Sequence, residues 1–80
     1  MDDMKKVKFL KLTTVDYDEG NDMPGEKTFY PNDTIDVYSI EETQGRSFVD
    51  IWLENDSVLL DVPKTSFEVI QNIWQFYKNV

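Results

Sequence analysis

Apolar and polar residues alternate along much of this chain, and the alternation predicts strands before anything else. Lys6 to Val15 is rich in Val, Phe, Leu and Thr, the composition of a strand. Its phase slips midway: Val7 and Phe9 share one face, whereas Leu10 and Leu12 share the other, which predicts a bulge or a strand buried on both sides. A short strand is expected at Lys27 to Tyr30 and another at Ile35 to Ile40. Pro31-Asn32-Asp33 supplies turn chemistry between them, and Gly45 lies in the turn that follows. Asp16 to Glu26, punctuated by Gly20, Pro24 and Gly25, reads as an acidic loop or a wide hairpin connection.

The sharpest local pattern runs from Phe48 to Val62. A two-residue turn at Asn55-Asp56 would set Leu53 opposite Val58, Ile51 opposite Leu60 and Val49 opposite Val62, all apolar and all on one side. The other side would pair Glu54 with Ser57, Trp52 with Leu59 and Asp50 with Asp61. Beyond Pro63 the period changes. Thr65-Ser66-Phe67-Glu68 fits a helix capping box. Glu68, Gln71, Asn72, Gln75, Lys78 and Asn79 then trace a polar stripe at helical spacing, predicting a helix from Ser66 to Lys78 that lies across a sheet. The expected architecture is α+β: a small curved antiparallel sheet or partial barrel of four to five strands, closed by one C-terminal helix. No internal repeat or domain boundary interrupts residues 1–80, which read as one domain with a loose tip at residues 1–5.

Size and composition narrow the chemistry. An 80-residue domain buries only about 60% of the surface its unfolded chain exposes, so its margin is thin. The chain has no Cys, so neither a disulfide nor a thiolate metal site is available. It also has no His, which removes the usual general base near neutral pH and the commonest transition-metal ligand. Asp16 to Asp22 resembles a calcium loop only superficially: the glycine is one place early and Lys27 stands where the closing Glu belongs. With no phosphate loop, nucleophile elbow or cofactor fingerprint, the sequence predicts neither an enzyme nor a cofactor. The first residues lead into alternating Lys and apolar positions rather than an unbroken apolar core, and no segment approaches a membrane span. A cytoplasmic protein is the expectation.

Charge then limits the partners. Between Leu12 and Pro63 stand thirteen acidic residues and only two basic ones, Lys27 and Arg46. Four of the other lysines, Lys5, Lys6, Lys8 and Lys11, cluster on the first strand, where they read as the guard of a sheet edge. A net charge of −8 disfavours nucleic acid and anionic membrane and favours a protein with a basic surface. Asp50, Trp52, Glu54, Leu59 and Asp61 form the first candidate face, an aromatic-aliphatic patch rimmed by carboxylates with Trp52 as its anchor. Its structural alternatives are neutralisation of Asp50 and Asp61 by the Lys-rich strand, or burial in a homodimer. Asp16, Asp18, Glu19 and Asp22 form a second candidate patch.

Phe9-Leu10-Lys11-Leu12-Thr13, Ser39-Ile40-Glu41-Glu42, Ile51-Trp52-Leu53-Glu54-Asn55 and Thr65-Ser66-Phe67-Glu68-Val69-Ile70 together resemble the FlbD/SwrD-like flagellar proteins and short phage or prophage products of similar layout. The chain departs from that pattern by the acidic insertion Asp16 to Glu26 and by Asp56 where glycine is usual. The resemblance implies a small sheet closed by a helix, a bacterial or phage origin, and no catalytic residue. Two function classes follow: a non-enzymatic intracellular binding module that engages a protein partner, or an acidic mimic of nucleic acid that inhibits a host DNA/RNA-binding or defence enzyme.

Overall fold

The computed structural model describes residues 4–19 and 24–72. Within them the chain is built of strands, joined by turns and two single 3-10 turns. The strands are β1 (Lys5–Phe9), β2 (Thr13–Asp18), β3 (Pro24–Phe29), β4 (Thr34–Val37), β5 (Ser39–Glu42), β6 (Phe48–Trp52), β7 (Val58–Pro63) and β8 (Phe67–Asn72). They form two antiparallel sheets, one ordered β4-β1-β8 and the other β3-β2-β7-β6-β5.

The slip in the first apolar run marks a change of sheet rather than a bulge. Val7 and Phe9 belong to β1, the chain bends at Lys11, and Thr13 and Val15 resume in β2 of the other sheet. The backbone N–H of Leu10 donates to the Ser66 carbonyl (2.7 Å) and the Thr13 hydroxyl to the Lys11 carbonyl (2.8 Å), so the crossing is hydrogen-bonded on both sides. Ile35 to Ile40 divides in the same way, at Tyr38. The expected loop is shorter than its sequence suggests: Asp16–Asp18 and Pro24–Glu26 are paired strand, closing a hairpin at Asp18 opposite Pro24. The turn at Pro31-Asn32-Asp33 is as expected. Asn32 sits at φ 77°, the Asp33 N–H donates to the Tyr30 carbonyl at 2.9 Å, and the Asp33 carboxylate accepts the Tyr30 N–H at 2.7 Å.

The expected C-terminal helix is not formed over the described residues, so the fold is all-β rather than α+β. Phe67–Asn72 is strand β8, paired with β1. Lys64–Ser66 is a single 3-10 turn after Pro63 without a side-chain cap bond, so the capping box is not used. The remainder of the expected helix, residues 73–78, lies outside the described residues. Cross-strand pairing explains the outcome. β1 sets Phe9 opposite Phe67, Val7 opposite Val69 and Lys8 opposite Glu68, and these contacts outweigh a helical period in a short run of Phe, Val and Ile. β1 is therefore a central strand, not the guarded edge that its lysines suggested.

The two sheets enclose one apolar core. Val7, Phe9 and Val37 from the smaller sheet meet Val15, Phe29, Val49, Ile51, Leu59 and Val62 from the larger. Phe9 stacks on Phe29 with ring centroids 4.2 Å apart. The buried polar groups find partners: the Ser57 hydroxyl accepts from Tyr17 at 3.2 Å, and no buried side-chain N or O among the described residues lacks a hydrogen bond.

The β6–β7 hairpin closes through Glu54–Asp56, one residue more than the expected Asn55-Asp56 turn. The Leu53 N–H donates to the Ser57 carbonyl at 2.8 Å, and Asp56 occupies the left-handed region at φ 62°. That extra residue shifts the register, so Ile51 faces Leu59 and Trp52 faces Val58. A bulge then restores Val49 opposite Val62: Leu60 and Asp61 on β7 oppose Asp50 alone on β6. Because a left-handed backbone costs roughly 1 kcal/mol for a residue with a side chain, Asp56→Gly is expected to stabilise the protein by up to about 1 kcal/mol. Urea denaturation checks this, and a lowered midpoint would show that the turn relies on the Asp56 side chain.

Candidate functional site

Directly opposed residues in a sheet project to the same side, so the registers of the larger sheet define its outer face. On β6 the outward residues are Phe48, Asp50 and Trp52, alternating with the buried Val49 and Ile51. Glu41 of β5 lies opposite Asp50. On β7, Val58 is opposite Trp52, and the bulge turns Leu60 and Asp61 outward while Leu59 stays in the core. On β2, Asp16 lies beside Leu60 and Asp18 beside Val58. Glu26 of β3 completes the row opposite Asp16. The face thus has an apolar centre of Trp52 and Leu60, both half-buried, beside Val58, which is buried. Carboxylates flank it on both sides: Glu41, Asp50 and Asp61 on one, Asp16, Asp18 and Glu26 on the other.

The two patches recognised in the sequence are consequently parts of one surface, although Asp16 and Asp61 lie far apart in the chain. Not every predicted member belongs to it. Leu59 is fully buried against Ile51 and takes no part. Glu54 is exposed in the turn at the end of the β6–β7 hairpin, and Glu19 is exposed just past β2. Asp22 lies outside the described residues. Sequence reading missed Glu41, Phe48, Leu60 and Glu26. Phe48 was legible, since it continues the alternation of Asp50 and Trp52; the others became neighbours only through pairing between distant segments.

Asp50 and Asp61 are not simply opposed like charges. One oxygen of the Asp50 carboxylate accepts the backbone N–H of Asp61 at 3.1 Å, while Asp61 itself adopts φ 53°. The bulge therefore gives Asp50 a donor where the expected register gave it a repelling partner. Glu41 accepts the Trp52 indole N–H at 3.3 Å, which ties the half-buried ring to the neighbouring strand. Glu41, Asp50 and Asp61 border a polar hollow of about 140 Å³ with Thr43, Arg46 and Phe48. Among the described residues, direct opposition of carboxylates does occur twice, at Glu41/Asp50 and Asp16/Glu26, each costing roughly 0.2–1 kcal/mol.

The lysines of β1 do not neutralise this face, because β1 belongs to the other sheet. Lys6 pairs instead with Asp36 at 2.8 Å, and Lys8 stands opposite Glu68. The outer face of the smaller sheet is therefore mixed in charge. Lys27, on β3 of the acidic hairpin, holds its ammonium over the Tyr17 ring, 4.6 Å from the centroid. Among the described residues no group of acidic side chains is arranged to hold a metal ion, and no helix is long and apolar enough to cross a membrane. No family model, curated protein or solved structure matches the chain.

Proposed function

We propose that the chain is a non-enzymatic binding module whose larger sheet engages a protein partner with a basic surface. The observation that carries this reading is the concentration of six carboxylates around the half-buried Trp52 and Leu60 on one sheet face. Interfaces draw most of their affinity from a central desolvated anchor surrounded by a polar rim. Trp52 is suited to the anchor: it is half-buried, held by Glu41, and flanked by apolar neighbours. The carboxylate rim would steer a Lys- or Arg-rich surface toward it and repel acidic competitors. Keeping like charges opposed across strands lowers stability, which is easier to understand if the face serves a ligand than if it serves the fold.

Capture from a bacterial lysate on immobilised protein tests the reading, with folding of each variant checked by urea denaturation. A basic protein should be retained at both low and high salt. Trp52→Ala should weaken retention by about 30-fold or more, corresponding to a central anchor of about 2 kcal/mol. Combined Glu41→Gln, Asp50→Asn and Asp61→Asn should slow association while leaving Asp50's acceptor role intact. Retention unaffected by all of these changes would refute the assignment of the face.

The nucleic-acid mimic is the second reading, favoured by the continuity of the carboxylates over five adjacent strands. It separates by salt: capture by a mimic should collapse as salt rises and should be insensitive to Trp52→Ala.

A further inference from the structure

Among the described residues, two edges bound the larger sheet, β3 on one side and β5 on the other. An edge strand turns a row of backbone N–H and C=O groups away from its one neighbour, a template on which a further strand can pair. The two edges offer different templates. β5 is four residues long, and its carboxylates are engaged: Glu41 accepts the Trp52 indole N–H and Glu42 pairs with Lys64 at 3.3 Å. β3 is six residues long, roughly 20 Å of extended chain, and Pro24 to Thr28 are all exposed. It pairs with β2 along its whole length and is braced there by a Thr14–Thr28 hydroxyl hydrogen bond of 2.9 Å. The devices that guard an edge are weak on β3. Pro24 removes an N–H only at the first position, and Lys27, its one lysine, is turned over the Tyr17 ring of β2.

Charge selects the occupant. Glu26 stands directly opposite Asp16 on the acidic face, and among the described residues it makes no hydrogen bond or ion pair. A strand added beside β3 sets its own side chain opposite Glu26 on that face, where a Lys or Arg offsets the like-charge opposition. The alternate positions of the added strand face Gly25 and Lys27 on the other side of the sheet. A Cβ at Gly25 would meet nothing within 4 Å, so there is room for a branched apolar residue. A second copy of the chain fits less well. Two-fold pairing of β3 with itself about its middle sets Glu26 opposite Glu26 or Lys27 opposite Lys27, like charges in either register. We propose that β3 is the docking edge for an extended segment of a protein partner in which Lys or Arg alternates with β-branched apolar residues, the basic side chains continuing the acidic face from Glu26. The inference rests on the reading of that face as a site for a basic protein, and it gives the partner its conformation and its place.

A short synthetic peptide of alternating Lys and Val is the probe, used with the full-length chain and followed by NMR. Its control carries N-methyl groups on two consecutive central amides, which removes a donor from each edge of the peptide and leaves its charge unchanged. The unmodified peptide should slow amide exchange at alternate residues of β3, and the control should bind about 10-fold or more weakly. Glu26→Lys should weaken the Lys-Val peptide by about 10-fold or more and admit a Glu-Val peptide in its place. Equal binding of peptide and control would overturn the proposal, because the attraction would then be one of charge alone. So would amides of β3 that are all protected in the chain without peptide, which would mean that the edge is already occupied. Binding that shifts the Trp52 and Leu60 resonances and leaves β3 unchanged would also overturn it, while the acidic face would keep its assigned role. Protection of β3 with Trp52 and Leu60 unmoved would support the edge and remove Trp52 as the anchor.

Discussion

Phe9→Ala is expected to produce the largest loss of stability of any single truncation in this chain. Phe9 is fully buried, stacks on Phe29 at 4.2 Å with rings nearly parallel, and lies 6.3 Å from the Phe67 ring. It therefore joins β1, β3 and β8, and so both sheets, at one point. Truncating a buried Phe costs about 3–5 kcal/mol. At roughly 0.05–0.15 kcal/mol per residue, the whole stability of an 80-residue chain is about 4–12 kcal/mol. Without a disulfide to limit the unfolded state, Phe9→Ala should be largely unfolded in water if the total lies at the lower end. Urea denaturation followed by far-ultraviolet circular dichroism measures it, and a loss below about 1 kcal/mol would mean that the aromatic junction is not where the sheets are held together.

The second large effect distinguishes two neighbouring leucines. Leu59→Ala should cost about 2–5 kcal/mol, because Leu59 is fully buried opposite Ile51. Leu60→Ala should cost far less, about 1 kcal/mol, since the bulge turns Leu60 to the half-exposed outer face. The regular hairpin read from the sequence predicts the reverse order, with Leu60 inward and Leu59 beside Trp52. The pair of denaturation midpoints thus tests the bulge itself. Equal costs would mean that neither register describes β7. The same pair separates stability from binding: Leu60→Ala should weaken partner capture out of proportion to its small effect on folding.

What could be read along the chain was whatever depends on near neighbours. Val49 and Ile51 alternate with Asp50 and Trp52, and burial follows that alternation. Proline before Asn32 and Asp33 makes a turn wherever it stands in an extended region, and Gly45 takes a positive φ of 83° in the turn expected of it. The apolar slip between Phe9 and Leu12 was visible too, but its meaning was not. A bulge and a passage between sheets leave the same local trace, and only the partners of β1 and β2 tell them apart.

The helix is the instructive error. Glu68, Gln71 and Asn72 fit a helical stripe, yet β1 offered an unpaired edge with Val7 and Phe9 in position to meet Val69 and Phe67. A periodicity argument weighs a segment against water, whereas the fold weighs it against every other segment. The candidate site shows the same limit. Asp50 and Trp52 were recognisable as one face of a strand, and Asp16 and Asp18 as an acidic stretch. Their union is a consequence of β2 pairing with β7.

The sequence by itself determined that this chain forms strands, that Pro31-Asn32-Asp33 is a turn, which of β6's faces is apolar, and that the molecule is strongly acidic without His or Cys chemistry. These follow from backbone preference, side-chain alternation and charge, all of which act over a few residues. Only the tertiary structure decided that Phe67–Asn72 is a strand, that Leu59 is inside and Leu60 outside, and that carboxylates from five strands share one surface. Those outcomes rest on pairing between segments tens of residues apart. A one-residue change in a turn, compensated by a bulge, is enough to exchange the faces of a strand.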